Sequence, residues 1–171
     1  MNLTIRQEVP QDYDAIYQMV KAAFAGAEHS DGSEQDLVMA LRESEAYIPQ
    51  LALVARIGEE IAGFIMFTRI DIGGHPALAL APLAVSPAFQ RQGVGAALVR
   101  AGHRAAGELG FSHSVVLGSE KYYPRFGYVP ASRMGIYAPF DVLDDHFMAV
   151  RLRQDAAPIE GMVRYDAAFG I

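Results

Sequence analysis

Apolar and polar residues alternate in the first segment of the chain, which predicts a β-strand. Leu3 and Ile5 are separated by polar residues, and this pattern extends over residues 2–8. A period of two places alternate side chains on one face of a strand. Residues 51–56 and 61–70 form two further apolar segments, and the turn residues between them predict a β-hairpin. The fold is therefore expected to contain antiparallel strands.

Apolar residues recur three and four positions apart in three segments, which predicts amphipathic helices. Asp12 fits the N-cap of the first helix, and Ser33 fits the N-cap of a second helix that ends at Arg42. A longer third helix is predicted for residues 91–109, and Gly110 suits the position after its end. The apolar faces are predicted to consist of Ile16, Met19, Val20 and Ala23 in the first helix, Leu37, Val38 and Leu41 in the second, and Val94, Leu98, Ala101, Ala105 and Leu109 in the third.

Residues 77–85 are almost continuously apolar, which predicts a central strand that is buried on both faces. Pro82 within this strand has no N–H to donate, so we expect a bulge or a splayed pairing there. Later apolar segments at 114–117, 146–152 and 162–165 predict the remaining strands.

The residues between the central strand and the third helix indicate a binding site. The strand ends at Val85, Ser86 and Pro87 interrupt it, and Gly93 and Gly95 stand where the turn becomes the helix. A strand, a glycine turn and a helix start place several unpaired backbone N–H groups at one point, where the helix dipole is positive. Such an arrangement binds phosphate, so a phosphate-bearing cofactor is expected.

Two familiar phosphate-binding patterns do not fit this turn. The Gly-Lys pair of a P-loop is absent, and Leu98 stands where a dinucleotide fingerprint has its third glycine. A nicotinamide-dependent reductase is therefore disfavoured.

Composition narrows the class of protein. The 171 residues carry a formal net charge of −6, which argues against a nucleic-acid partner, and no apolar segment has the length of a membrane helix. We expect one domain spanning residues 1–171 and a cytoplasmic location. The chain has no cysteine, which excludes disulfides and thiolate chemistry.

Charge is unevenly distributed along the chain. Residues 8–60 hold eleven acids and three bases, whereas residues 86–133 hold six bases and two acids. The basic segment contains the proposed phosphate turn, and the acidic segment is either a solvated surface or a region that favours a cationic second substrate.

Two motifs give the turn a family resemblance. The spacing Gln90-x-x-Gly93-x-Gly95, directly after Val85-Ser-Pro87, resembles the acetyl-CoA signature of the GNAT superfamily of N-acyltransferases. The segment Tyr123-x-x-x-Gly127-Tyr128 is similar to the later motif of that family, in which a tyrosine precedes a glycine–aromatic pair. The segments around both motifs look like the bacterial YhbS-like subgroup.

The resemblance implies a mixed α/β fold, with a mostly antiparallel sheet of about six or seven strands that splays at the fourth strand and is flanked by about four helices. It also implies an N-acetyltransferase that moves an acetyl group from acetyl-CoA to a primary amine. The pyrophosphate-binding amides then fall on Arg91, Gln92, Gly93, Val94, Gly95 and Ala96, and the pantetheine-pairing strand falls on Leu83, Ala84 and Val85.

Tyr123 matches the tyrosine general acid of the family, and the adjacent Tyr122 could exchange roles with it. A phenol with an ordinary pKa near 10 is protonated at neutral pH and can donate a proton to the departing thiolate. Many relatives carry an asparagine between the fifth strand and this tyrosine. The chain has none there, and Ser119 could replace it.

The general base and the acceptor are left open by the sequence. Glu28, His29, Asp71 and His75 lie in loops near the expected site, and a solvated surface role is the favoured interpretation of each. His103 is interpreted as a helix-surface residue and His113 as a loop residue. No pair of histidines has the spacing of a metal site. A monomer and a homodimer are both compatible with the sequence, because the apolar last strands could close the sheet or form a dimer edge. The alternative function is a non-catalytic acyl-CoA-binding sensor or regulatory module.

Overall fold

A mixed sheet flanked by helices forms the fold. The computed structural model describes residues 2–27 and 30–171, and within them nine strands and three α-helices are present. Strands β6 and β7 are only two residues long. In chain order the elements are β1 (Leu3–Gln7), α1 (Tyr13–Phe24), α2 (Glu34–Arg42), β2 (Ala52–Ile57), β3 (Glu60–Ile72), β4 (His75–Val85), α3 (Val94–Glu108), β5 (His113–Leu117), β6 (Val129–Pro130), β7 (Ile136–Tyr137), β8 (Phe147–Arg151) and β9 (Gly161–Arg164).

The main strand order is β1-β2-β3-β4-β5-β8-β6, and β9 pairs with both β3 and β7. Strands β1 to β4 pair antiparallel, β4 and β5 pair parallel, and β8 pairs antiparallel with β5 and β6. The expected mixed, mostly antiparallel sheet is therefore confirmed. Residues Tyr123–Phe126, after β5, form a short 3₁₀ turn.

Alternate side chains of β3 pack on opposite faces of the sheet. Ile65 and Phe67 belong to the apolar cluster beneath α3, whereas Phe64 and Met66 belong to the cluster beneath α1 and α2. The period of two in the strand therefore separates the helices into two layers.

The buried face of α3 differs from the predicted one. Ala101 and Ala105 are only half-buried and Leu109 is exposed, whereas Gly102 is buried against the ring of Phe67. The pattern failed because a glycine has no side chain to mark it as apolar, although it allows the closest approach of helix to sheet. The residues buried along α3 are Val94, Gly95, Leu98, Val99, Gly102 and Ala106.

The two predicted N-cap residues occupy the N-cap positions, but their side chains form no capping hydrogen bond. Asp12 precedes α1 and Ser33 precedes α2, yet neither side chain caps its helix. The Asp12 carboxylate instead accepts hydrogen bonds from the Val9 amide at 2.9 Å and from the Arg6 guanidinium at 2.7 Å. This carboxylate therefore joins the first turn to β1 rather than to α1.

Strand β4 separates from β5 beyond its middle. The two strands pair only at Leu78–Ser114 and Ala79–Val115. The pairing of β3 with β4 shifts register between Ile65 and Phe67, opposite the segment that contains Pro82. The bulge and the splay expected at this proline are thus both present, and the end of β4 keeps one backbone edge free on the β5 side.

Candidate active site

The turn before α3 carries six consecutive backbone amides, those of residues 91–96, that donate no hydrogen bond to any residue the structure describes. The first amide after this segment, that of Ala97, has an acceptor: it donates to the Gly93 carbonyl at 3.1 Å. Arg91 has a φ of 63°, and it is the one non-glycine residue with a positive φ in the described chain. Such a conformation is uncommon for a long side chain and is typical of constrained functional turns. Free amides at the start of a helix are the arrangement that anion-binding sites use.

The two glycines of this turn are needed for different reasons. Gly93 has a φ of 88°, a left-handed conformation that delays the start of α3 to Val94. Gly95 is helical, but a Cβ at this position would lie 2.6 Å from the Tyr122 hydroxyl oxygen. The second glycine therefore makes room for a tyrosine from a different part of the chain, which spacing alone did not indicate.

The free edge of β4 has a defined alternation. The Ser86 amide donates to the carbonyl of Ala62 in β3 at 2.8 Å. Ala84, two residues before Ser86, lies opposite Phe64 of the same strand. Because peptide groups alternate in direction along a strand, those of Ala84 also face β3, and those of Leu83 and Val85 face the open edge. The Gln90 side-chain amide donates to the Val85 carbonyl on that edge at 3.1 Å.

The side chains of Leu83 and Val85 point towards the start of α3. A Cβ on Gly95 would lie 3.5 Å from a methyl of Val85 and 3.8 Å from a methyl of Leu83. The free strand edge, the free amides and the Tyr122 hydroxyl thus lie close together at the start of α3, in a region that we call the cleft.

An aromatic cluster closes the cleft on the β5 side. The rings of Tyr122 and Tyr123 meet edge-on with centroids 5.2 Å apart, and Phe126 lies 5.3 Å from Tyr122. The ring of Tyr123 packs against Gly118, just beyond β5, and against the ring of Tyr128 at 5.7 Å. None of the residues in the described ranges hydrogen-bonds the Tyr123 hydroxyl.

The core tyrosine of this cluster is Tyr128, not Tyr123. The Tyr128 hydroxyl is hydrogen-bonded to Ser114 Oγ at 2.9 Å and to His103 Nε2 at 3.0 Å. Burial raises the pKa of Tyr123 above that of an ordinary phenol, and the neighbouring Tyr122 raises it further. Tyr123 is therefore protonated at neutral pH.

The two histidines that the sequence indicated as a helix-surface residue and a loop residue are both mostly enclosed. His103 lies between the rings of Phe67 and Tyr128, and this burial lowers its pKa to about 4. His113 is the first residue of β5 and is fully buried; its Nδ1 is hydrogen-bonded to Ser112. The helical period put His103 outside because the face of α3 was misassigned, and no local pattern marked the start of β5.

The remaining candidate polar residues have structural roles or lie elsewhere. The Asp71 carboxylate accepts from the Gly74 amide at 3.0 Å in the β3–β4 turn, and His75 is exposed at the opposite end of β4 from Val85. Ser119 organises the turn before Tyr123, because its carbonyl accepts the Tyr123 amide at 3.2 Å. Glu28 and His29 lie outside the described residues.

Two further properties concern metals and membranes. Within residues 2–27 and 30–171, no group of three or more histidine, aspartate and glutamate side chains is arranged to hold a metal ion. None of the helices in these ranges is both long and apolar enough to cross a bilayer.

Residues 13–128 match the model of the acetyltransferase (GNAT) family. The match covers more than half of the chain, so the protein belongs to this family of acetyltransferases, as the two motifs predicted.

Individual relatives support this assignment. The chain is similar to the uncharacterized N-acetyltransferase YhbS of Escherichia coli K12, with 31% identity over 171 residues and 98% of each protein covered. The crystal structure of E. coli YhbS in complex with CoA superposes with a TM-score of 0.90 at 29% identity, covering 100% of this chain and 93% of that one. A GNAT family acetyltransferase of Brucella melitensis, in complex with acetyl-CoA, gives a TM-score of 0.80 at 33% identity and covers 98% of both chains.

The uncharacterized N-acetyltransferase YjhQ of E. coli K12 is 41% identical over 118 residues. That alignment covers 66% of this chain and 65% of YjhQ, just under two thirds of the relative.

Proposed function

We propose that this protein is an acetyl-CoA-dependent N-acetyltransferase that transfers the acetyl group directly to a primary amine. The observation that carries the proposal is the run of six unpaired amides beside the free edge of β4. Two similar proteins were solved with CoA and acetyl-CoA, which are ligands that combine phosphates with an amide-bearing arm.

The residues of the cleft fit such a ligand. The amides of residues 91–96 would hold the pyrophosphate, since close backbone donors at a helix start favour an anion. The outward peptide groups of Leu83 and the outward N–H of Val85 would pair with the amides of the pantetheine arm as a neighbouring strand does, while the Val85 carbonyl accepts from the Gln90 side chain. Ala84, whose peptide groups face β3 and whose side chain is buried in the cluster beneath α1 and α2, would offer the arm no hydrogen bond.

Tyr123 would supply the proton that the departing thiolate needs. Its hydroxyl is raised in pKa by burial and has no partner in the described chain, so it carries a proton at neutral pH and is free to donate it. An outward N–H of β4 would donate to the carbonyl oxygen of the thioester as negative charge develops there. The absence of cysteine from the sequence favours direct attack by the amine over an acyl-enzyme.

The acceptor is proposed to be cationic. A surface cavity of about 490 Å³ at the start of α2 is lined by Asp31, Glu34 and Asp36, together with the apolar Leu37 and Phe169. Carboxylates beside apolar side chains suit a protonated amine with a hydrocarbon body. The apparent KM for the acceptor should therefore rise with salt concentration, since salt screens exposed charges.

The test is release of free CoA thiol from acetyl-CoA in the presence of a mixed amine library. We expect amine-dependent thiol release. Tight acetyl-CoA binding without thiol release for any amine would favour the non-catalytic binding module instead.

The Tyr123→Phe variant tests the assigned acid. Turnover should fall about tenfold or more, whereas the KM for acetyl-CoA should change little, because the hydroxyl acts in proton transfer. The Tyr122→Phe variant shows which of the two adjacent tyrosines is the acid. Tyr137→Phe, at an exposed position in β7, is the control. Unchanged turnover in Tyr123→Phe would remove this residue from the mechanism.

A further inference from the structure

Two arginines beside the cleft are held by aromatic rings. The Arg125 guanidinium carbon lies 4.7 Å from the centre of the Tyr122 ring, and that of Arg100 lies 5.3 Å from the centre of the Phe126 ring. The two rings are themselves 5.3 Å apart. These four side chains, Arg100, Tyr122, Arg125 and Phe126, form what we call the arginine–aromatic layer. Stacking on a ring orders a guanidinium without neutralising its charge.

Neither arginine of the layer has a carboxylate partner among the described residues. Arg6, Arg42 and Arg153, by contrast, each pair with an acid. Two unpaired cations in a chain of net charge −6 create a local positive potential that favours an anion.

The layer lies against the start of α3. The Tyr122 hydroxyl is within 2.6 Å of the place where a Cβ of Gly95 would be, so the layer adjoins the free amides. Arg100 follows Gly93 by seven residues, which puts it on the same side of α3 about 10 Å along the axis. Burial raises the pKa of Tyr122, and the nearby charges of Arg125 and Arg100 act in the opposite direction.

The proposed cosubstrate carries a third phosphate in addition to the pyrophosphate that the backbone amides of the turn would hold. The amides of residues 91–96 suffice for a pyrophosphate, whereas the 3′-phosphate of CoA is a separate monoester with a charge near −2. A guanidinium fork binds such a group through two charge-assisted hydrogen bonds.

We propose that Arg100 and Arg125 bind the 3′-phosphate of CoA and make the protein selective for CoA thioesters over their dephospho-CoA counterparts. This inference rests on the proposed function, because it assumes that CoA occupies the cleft. Both arginines are exposed, so their substitution leaves the core intact.

The test is calorimetric binding of CoA and of dephospho-CoA to the whole protein. Wild-type protein should bind CoA about tenfold or more tightly than dephospho-CoA. The Arg100→Gln/Arg125→Gln variant should lose that preference by weakening CoA binding alone, and Arg125→Lys should lose part of it because the fork is absent. Arg133→Gln, at an exposed arginine in the turn Ala131–Met134 and outside the arginine–aromatic layer, is the matched control and should keep the wild-type preference.

Equal affinity of the wild-type protein for both ligands would overturn the inference and leave the proposed function intact. An equal loss for both ligands in the double variant would also overturn it, since the arginines would then act as a general electrostatic or structural feature. Binding of neither ligand by the wild-type protein would overturn the proposed function itself.

Discussion

The contact between Gly95 and Tyr122 predicts a measurable coupling between two segments that are 27 positions apart in the chain. A Cβ at residue 95 would lie 2.6 Å from the Tyr122 hydroxyl oxygen, about 0.8 Å closer than ordinary contact allows. In Gly95→Ala the phenol must therefore move. In Tyr122→Phe the oxygen that makes the contact is gone.

Two contributions of opposite sign set the stability of Gly95→Ala. Alanine is favoured over glycine in a helix by about 0.5–1 kcal/mol, and pushing the tyrosine off its rotamer costs about 0.5–1.5 kcal/mol. The two nearly cancel in the wild-type background. In the Tyr122→Phe background only the helix contribution is left, so alanine should stabilise the fold. The expected coupling energy equals the rotamer cost, about 0.5–1.5 kcal/mol.

The assay is urea unfolding of the wild type, both single variants and the double variant, with free energies extrapolated to water. Gly107→Ala in the same helix is the control, because a Cβ there would lie no closer than 3.7 Å to any atom outside the helix. It should stabilise the protein equally with Tyr122 or Phe at position 122. A coupling below about 0.3 kcal/mol for Gly95→Ala would show that the tyrosine does not lie over this glycine in solution, and the assigned geometry of the cleft would be wrong.

Two further predictions concern stability. Arg42→Leu should cost about 3–5 kcal/mol in urea unfolding, because it leaves the fully buried Glu8 carboxylate with Tyr47 as its remaining donor; a loss below about 1 kcal/mol would contradict this view of the ion pair. Wild-type protein should lose about 2 kcal/mol between pH 7 and pH 5 through His103, whose pKa is about 4 when folded. The unfolded imidazole binds a proton near pH 6.5, so this stability is fully present above that pH and is lost as the pH falls towards 4. His103→Gln should flatten the pH profile by that amount, and an unchanged slope would show that the imidazole is not buried.

The sequence predicted those structural features that depend on the types of a few consecutive residues. The alternation at Leu3 and Ile5, the turn at Gly93 and the interruption at Pro82 each depend on near neighbours in the chain, and the structure places all three as expected. What depends on distant partners was missed. The burial of Gly102 is determined by Phe67, and that of His103 by Tyr128.

The site shows the same division. The turn that presents residues 91–96 follows from the glycine spacing, whereas the need for Gly95 is set by Tyr122, a residue that no helical or strand period connects to it. The unpaired arginines of the layer could have been found from sequence only by knowing which acids lie near them in space. Charge counts along the chain indicated a basic segment but could not say that Arg100 and Arg125 have no carboxylate partner among the residues that the structure describes.

The narrow connection between β4 and β5 has a consequence for how the molecule unfolds. Two backbone residue pairs join the strands β1 to β4 to the strands β5, β8 and β6, whereas apolar side chains of both groups pack together on the two faces of the sheet. Backbone amides near Ser114 are therefore expected to exchange with solvent through a partial opening, in which the second group of strands detaches while the first stays folded. A ligand seated between β4 and the aromatic cluster would bridge the two groups. It would slow that exchange and convert two separately opening regions into one cooperative unit.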